Sequence, residues 1–265
     1  EDEFIYARYG NPTTRMFEDR IAAVEGTEDA FATASGMAAV NGVLTSIVRA
    51  GDHIVAARAL FGSCIYILEE VLGRFGVQVT FVDGTDLDQW RAAVRPGTKA
   101  VFFESVSNPT LEVVDIGAIS AVGRGVGARV IVDNGVATPV FSTAVAQGAD
   151  VVIYSATKHI DGQGRALGGV VCASRHFIRK VLEPYMKHTG GSISPSGTVQ
   201  VNPGDDQGFT ITANAGYQIA DVLVDTVSQG AIGTYTFTGV DDAHTIAASF
   251  SPVSLTVTKS VDPLS

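Results

Sequence analysis

Seven short apolar runs recur along the first 174 residues of this chain, and no other feature of the sequence constrains the fold as strongly. Most are continuously apolar and rich in Val, Ile and Phe, which is typical of strands covered on both faces. Amphipathic stretches of helical length, such as 63–75 and 115–125, lie between several of them. This alternation predicts an α/β fold in which a mostly parallel sheet lies between helices. The runs are 31–35, 53–57, 78–83, 99–105, 129–134, 150–155 and 168–174.

The composition of the chain changes near residue 190. Of the 18 Lys and Arg residues, 17 lie in residues 1–190 and the last is Lys259. Beyond that point the sequence is rich in Ser, Thr, Val and Gly, with period-two runs separated by turn residues such as the NPG at 202–204. This pattern is typical of short strands joined by tight turns. We therefore expect two domains, 1–190 and a small all-β module over 191–265.

Charge and hydropathy exclude several classes of partner. The formal net charge is −10, whereas nucleic acids and anionic membranes attract clustered Lys and Arg, so we expect neither partner. No apolar run approaches the roughly 20 residues that span a bilayer. The first three residues are acidic, where a signal peptide would begin basic. Cys64 and Cys172 fit no disulfide framework or metal spacing, and buried thiols in a reducing compartment are the simplest interpretation.

Lys158 is the first candidate for chemistry. It follows an apolar run within YSATKHIDGQGRALGG, 154–169, between the hydroxyls of Ser155 and Thr157. A residue just past a buried strand lies at the carboxyl edge of the sheet, where open α/β sheets bind ligands. An amine forms a Schiff base only when unprotonated, so we expect Lys158 to be partly desolvated. A solvated surface lysine is the alternative.

Asp133 ends the preceding apolar run, and successive parallel strands often end beside each other. Pyridoxal 5′-phosphate (PLP) needs such a carboxylate against its pyridine nitrogen, which must stay protonated for the ring to accept electrons. A cap in an Asp-Asn turn is the alternative interpretation.

Two further stretches contain candidate phosphate ligands. At Gly36 and Met37 a strand gives way to a helix, whose N-terminal N–H groups bind anions. Near the start, Tyr6 and Arg8 offer a phenol and a cation, although an exposed loop would contain the same residues.

Together these motifs resemble the Cys/Met-metabolism family of PLP enzymes, and within it the O-succinylhomoserine sulfhydrylases. The likeness covers residues 4–190, with several motifs in the family's order and spacing. It implies the large domain of a fold-type I PLP transferase, with a seven-stranded sheet. It also implies a cytoplasmic enzyme that replaces or eliminates the γ-substituent of an activated homoserine, using a sulfur nucleophile.

The resemblance also assigns roles to matching positions. Lys158 would hold PLP as a Schiff base and shuttle protons, and Asp133 would pair with the pyridinium nitrogen. Phe61 would stack on the cofactor ring and Asn108 would lie near its 3-oxygen. The phosphate ligands would be Gly36, Met37, Ser155 and Thr157.

Tyr6 and Arg8 would reach the phosphate of a neighbouring subunit, which implies a homo-oligomer, a dimer at least.

The chain departs from the family pattern in three ways. The family's opening segment is expected to be missing, and after residue 190 the β-module replaces a C-terminal domain. That domain supplies the arginine that holds the substrate's carboxylate, yet residues 191–265 contain no arginine. Gly135 stands where a larger residue is common. The large domain is therefore predicted to be truncated.

Residues 191–250 resemble the divergent B-repeat modules of bacterial surface proteins. Gly216, Tyr217 and the segment 235–237 would then be structural core features. An extracellular module conflicts with a cytoplasmic enzyme, and a chimaeric chain would explain the junction.

Two functional hypotheses therefore remain. One is a PLP enzyme of sulfur amino-acid metabolism; the other is an incomplete PLP-binding domain fused to a β-module with a binding or spacer role.

Ser155 to Lys158 also matches the S-x-x-K of serine β-lactamases, but the S-D-N and K-T-G that should follow do not occur. The five histidines show no ligand spacing, so we expect no metal site and ordinary surface or loop histidines.

Overall fold

The computed structural model describes residues 10–188, 192–194, 202–213 and 217–252. Residues Pro12–Met186 form one compact unit, and the described residues from Lys187 onward belong to a second. Within the described residues, no helix combines the length and the apolar character that crossing a bilayer requires.

The larger unit is built on a seven-stranded sheet whose order is β1-β7-β6-β5-β4-β2-β3. The five strands from β6 to β3 are parallel to their neighbours, whereas β7 is antiparallel to both β6 and β1. This confirms the expected mostly parallel sheet. The strands are β1 Asp29–Thr33, β2 His53–Ala57, β3 Gln78–Val82, β4 Thr98–Glu104, β5 Arg129–Asp133, β6 Val151–Ser155 and β7 Gly169–Ala173.

Continuously apolar sequence becomes continuously buried strand. All five residues of both β2 and β7 are buried, so both faces of the sheet are covered. The sequence runs matched the strands to within two residues at each end.

Helices connect most of the strands, and their starts follow local capping chemistry. Asp86 and Asp115 cap α5 and α6 by accepting hydrogen bonds from first-turn N–H groups. The helices are α1 Pro12–Glu25, α2 Gly36–Ile47, α3 Gly62–Tyr66, α4 Leu72–Arg74, α5 Leu87–Ala93, α6 Ile116–Arg124, α7 Thr138–Phe141, α8 Arg175–Phe177 and α9 Glu183–His188. Three π-helical turns cover Ile67–Val71, Ala156–Ile160 and Ile178–Leu182, and a 3-10 turn covers Val145–Gln147.

The second unit contains two three-stranded antiparallel sheets, ordered β12-β9-β8 and β11-β10-β13. Both contribute to a small shared core of Ile211, Val222, Val224 and Phe237. The strands are β8 Ser192–Ser194, β9 Gln207–Thr212, β10 Tyr217–Val224, β11 Val227–Ser228, β12 Thr234–Phe237 and β13 Ile246–Pro252.

The core residues expected in this module are partly corrected. Phe237 is buried and Tyr235 packs against the core, but Thr236 between them is exposed, because successive strand residues face opposite sides. Gly216 lies outside the described residues, as does the side chain of Tyr217. The likeness to B-repeats and the domain boundary near residue 190 stay predictions.

Candidate functional site

Three neighbouring parallel strands end side by side at the carboxyl edge of the sheet. In the β4–β5 pair Glu104 lies opposite Asp133, and in the β5–β6 pair Asp133 lies opposite Ile153. Ser155, the last residue of β6, is two positions further along. The expected adjacency of the strands that lead to Asp133 and Lys158 is therefore present.

The carboxylate of Asp133 accepts a hydrogen bond from a nearby main-chain group and has little contact with solvent. Its Oδ1 accepts a hydrogen bond of 2.9 Å from the N–H of Gly135. Burial, reinforced by the nearby charge of Glu104, raises the pKa of Asp133 from 3.8 to about 7. A carboxylate in this state gains from a cationic partner, and a protonated pyridine nitrogen is such a partner. The acceptor at this position therefore fits the protonated ring nitrogen of PLP.

Gly36 and Ser155 meet where α2 begins. A Cβ on Gly36 would lie 2.8 Å from the Cβ of Ser155, a contact that only glycine avoids. Ser35 caps α2 by accepting from the N–H of Ala38, so the N–H groups of Gly36 and Met37 in the first turn have no partner within the helix. The fold thus brings together, at one edge, N–H donors and a hydroxyl suited to a phosphate.

The loop after β6 contains Lys158 in an irregular backbone. Its φ of −94° and ψ of −116° interrupt the π-helical turn Ala156–Ile160. The side chain of Lys158 is exposed, so the partial desolvation expected from the sequence is not present in this chain. The sequence pattern located the strand that precedes Lys158. It could not show which groups pack around the Lys158 side chain, and these groups determine its exposure.

Thr157 already has partners. Its hydroxyl donates to the carbonyl of Gly168 at 3.2 Å and accepts from the N–H of the same residue at 3.0 Å. These bonds tie the lysine loop to the start of β7. A phosphate would bind this hydroxyl only in place of the Gly168 carbonyl.

Phe61 and Asn108 are both exposed, and both are held by a residue that sequence reasoning missed. Glu104 Oε1 accepts from the N–H of Phe61 at 2.6 Å, and its Oε2 accepts from the N–H of Asn108 at 2.8 Å. Glu104 directly follows the apolar residues of the run KAVFFES, as Asp133 directly follows those of its own run, and that equivalence is the signal that could have identified it.

Cys64 completes a small buried cluster. Its Sγ and the carboxylate oxygens of Glu104 and Asp133 all lie within 4.8 Å of one another. Burial raises the pKa of the Cys64 thiol well above its usual range, so the thiol stays protonated. Cys64 and Cys172 are free and buried, as the sequence indicated.

One prediction about the histidines was wrong. His53 is buried in β2, where its ring nitrogens contact the hydroxyls of Thr98 at 3.0 Å and Thr80 at 2.9 Å. These hydroxyls satisfy a polar ring inside the sheet. A lone histidine in an apolar run was the available sign of burial.

A chain of buried hydrogen bonds supports the segment after Asp133. The hydroxyl of Tyr154 donates to Glu25 and accepts from Asn134 Nδ2 at 2.8 Å, and Ser105 donates to Asn134 Oδ1 at 2.6 Å. Asn134 is thereby fixed next to Asp133. Sequence reasoning singled out none of these residues.

Tyr6 and Arg8 lie outside the described residues.

Comparisons with known proteins agree with the fold and with the family resemblance. A family model described as Cys/Met metabolism PLP-dependent enzyme matches residues 1–205. The O-succinylhomoserine sulfhydrylase of Mycobacterium tuberculosis is 51% identical over 193 residues, which is 73% of this chain and 48% of that protein. The chain therefore spans about half the length of the curated relatives it matches.

Many solved structures resemble the chain, and two of them show the extent of the match. MetB from Corynebacterium glutamicum has a TM-score of 0.68 and 32% identity, covering 71% of this chain and 49% of that one. A Campylobacter jejuni structure, named as an O-acetylhomoserine (thiol)-lyase, has a TM-score of 0.63 and 35% identity, covering 66% and 43%. It contains N′-pyridoxyl-lysine-5′-monophosphate at its own position 205.

Proposed function

The chain belongs to the Cys/Met metabolism PLP-dependent enzymes, and from this premise we propose that residues 1–190 bind PLP and act on an activated homoserine. The reaction class is replacement or elimination of the γ-substituent, with a sulfur nucleophile as second substrate. The observation that carries the proposal is the meeting of the Asp133 strand end, the Lys158 loop and the Gly36 helix start at one edge of the sheet.

Each proposed contact uses a group whose chemistry fits its task. Lys158 Nζ holds the cofactor covalently and afterwards carries protons at that atom. Asp133 keeps the ring nitrogen protonated. Phe61 offers an exposed ring for stacking, and Asn108 an amide for the 3-oxygen. When bound, PLP supplies an electron sink for the bonds that change in the substrate.

The proposed phosphate site lies at the edge formed by the start of α2 and the end of β6. The first-turn N–H groups of Gly36 and Met37 and the hydroxyl of Ser155 are the supporting donors, with Thr157 as a further one. Tyr6 and Arg8 are proposed to contribute from a second copy of the chain.

The visible absorbance spectrum of the purified chain with added PLP tests the cofactor site. We expect an absorbance band of lysine-bound PLP that Lys158→Ala abolishes and Lys180→Ala, a change at another exposed lysine, leaves intact. A band that persists in Lys158→Ala, or is missing from the unaltered chain, would refute the assignment.

Turnover is tested separately, because two leaving groups are represented among the similar proteins. O-Succinylhomoserine and O-acetylhomoserine are offered with a thiol donor, and release of succinate or acetate is measured. Succinate release that depends on Lys158 is the expected result.

A second candidate is a chain that binds PLP but turns over no amino acid by itself, fused to a β-module with a binding or spacer role. The exposure of Lys158 and the absence of arginine from residues 191–265 favour it, since arginine is the usual bidentate partner of a substrate carboxylate. A PLP band without turnover would select this candidate.

A further inference from the structure

We propose that Glu104 is a positioning residue whose carboxylate fixes two loops of the cofactor site relative to each other. Its two hydrogen bonds, to the main chain of Phe61 and of Asn108, are named here the Glu104 bridge. The inference rests on the proposed function, because those two residues are the proposed contacts with the ring of PLP.

The bridge joins segments that are distant in sequence. Phe61 follows β2 and precedes α3, 43 residues from Glu104, whereas Asn108 follows β4 itself. Oε1 accepts from the N–H of Phe61 at 2.6 Å, and Oε2 accepts from the N–H of Asn108 at 2.8 Å. One side chain therefore links the main chain that carries the aromatic ring to the main chain that carries the amide.

The two oxygens of the Glu104 carboxylate match both loops, because each loop presents one N–H donor to it. Glutamate offers two acceptor oxygens and no donor, whereas glutamine offers one oxygen and one NH₂ group. The NH₂ group of a glutamine would face an N–H donor, so one of the two bonds could not form. Glu104→Gln thus removes half of the bridge with almost no change in volume.

Keeping this charge inside the protein is costly. Glu104 is only 5% exposed, and burial raises its pKa, whereas the N–H groups of Phe61 and Asn108 lower it. The Asp133 carboxylate lies on the neighbouring strand and adds repulsion. A purely apolar residue would fill the space without this cost but would leave both N–H groups without their acceptor.

Hydrogen exchange on the full chain without PLP tests the bridge directly. We expect Glu104→Gln to speed exchange in at least one of the two peptides covering residues 60–63 and 107–110, while Glu69→Gln, an exposed glutamate with the same change in charge, leaves both unchanged. Unchanged exchange in both loops would overturn the bridge.

Spectroscopy of the PLP-loaded chain tests positioning. We expect Glu104→Gln to weaken PLP binding about tenfold, as the loss of one charge-assisted bond would. The visible circular dichroism per bound PLP should also fall, because it reports ring orientation. Looser loops with unchanged affinity and dichroism would overturn the positioning role.

A conservative variant guards against misfolding. Glu104→Asp restores the charge on a shorter side chain, so its exchange rates and dichroism should lie between those of wild type and Glu104→Gln; values equal to those of Glu104→Gln would count against the bridge. If Glu104→Gln does not fold, judged by Trp90 emission, Glu104→Asp decides by the same measurements against wild type.

The proposed function is judged first, on the wild-type spectrum. A wild type without bound PLP refutes the function and the positioning role together, whereas a loaded wild type with an unaltered Glu104→Gln refutes the positioning role alone.

Discussion

Gly36 and Ser155 touch where helix α2 starts and strand β6 ends, and the contact leaves no space for a side chain on residue 36. A Cβ there would lie 2.8 Å from the Cβ of Ser155 and 3.0 Å from its Cα. The register explains this proximity, because Thr33 and Ser155 both pair with Gly169 and so flank the single strand β7. The helix start and the strand end consequently form one surface.

Gly36→Ala should therefore damage the cofactor site more than the fold. The added methyl must displace the backbone of Ser155 or α2, which we expect to cost about 1–3 kcal/mol of unfolding free energy. PLP affinity should fall at least tenfold, since the N–H donors shift with the backbone. Urea unfolding followed by Trp90 fluorescence and a PLP titration measure the two effects.

Gly73→Ala is the matched control, because nothing lies within 4 Å of a Cβ at this helical position. We expect it to leave PLP binding unchanged and to stabilise the helix by roughly 0.5–1 kcal/mol. A Gly36→Ala chain that binds PLP as tightly as this control would remove Gly36 from the proposed phosphate site.

Asp133→Asn should remove the pH dependence of stability that this carboxyl contributes. Because the folded pKa of Asp133 is raised from 3.8 to about 7, its stabilising contribution is complete below about pH 4 and is lost as the pH rises through 7. Without PLP, the asparagine variant should therefore be more stable than wild type at pH 8 and equal to it near pH 4. Melting temperatures across this range give the comparison.

Bound PLP should change that order. The ring nitrogen offers Asp133 a cation, so at pH 8 PLP should raise the melting temperature of wild type more than that of Asp133→Asn. Asp88→Asn, at an exposed carboxylate, serves as the control and should respond like wild type. An equal rise in melting temperature in all three proteins would show that Asp133 does not contact the ring nitrogen.

The strands, and the pairing of the two that lead to Asp133 and Lys158, could be predicted from the sequence, because continuous apolar runs indicate buried strands and consecutive parallel strands often pair. The contact of Gly36 with Ser155 could not, since it depends on β7 inserting antiparallel between β1 and β6. The role of Glu104 was missed because one of the two N–H groups that it accepts from, that of Phe61, is 43 residues away in sequence.

Tyr154→Phe tests the buried chain that steadies the end of β5. The substitution removes one hydroxyl and leaves the carboxylate of Glu25 with a main-chain bond from Val145 at 2.9 Å. We expect the free energy of unfolding to fall by about 1–3 kcal/mol, because Glu25 Oε2 would lose its donor inside the protein. Tyr66→Phe, at a tyrosine that is 54% exposed, should change stability by less than about 0.5 kcal/mol. Equal unfolding midpoints for the two variants would show that the Tyr154 hydroxyl stabilises nothing.

Phe237→Ala tests whether the β-module folds apart from the cofactor domain. The ring of Phe237 lies 4.9 Å from that of Tyr235, 5.9 Å from that of Phe209 and 4.8 Å from that of His244, so it is the centre of the module's aromatic contacts. Its removal should cost about 3–5 kcal/mol, which a core this small cannot absorb.

We therefore expect Phe237→Ala to open residues 202–252 to proteolysis while the PLP band and the Trp90 unfolding transition stay as in wild type. Thr236→Ala, at the exposed neighbouring position, should resist proteolysis as wild type does. If Phe237→Ala also lost the PLP band, the module would contribute to the cofactor site and a division of the chain at residue 190 would be wrong. Retention of the band in a proteolysed chain would instead establish that the cofactor site needs no residue beyond the cleavage points.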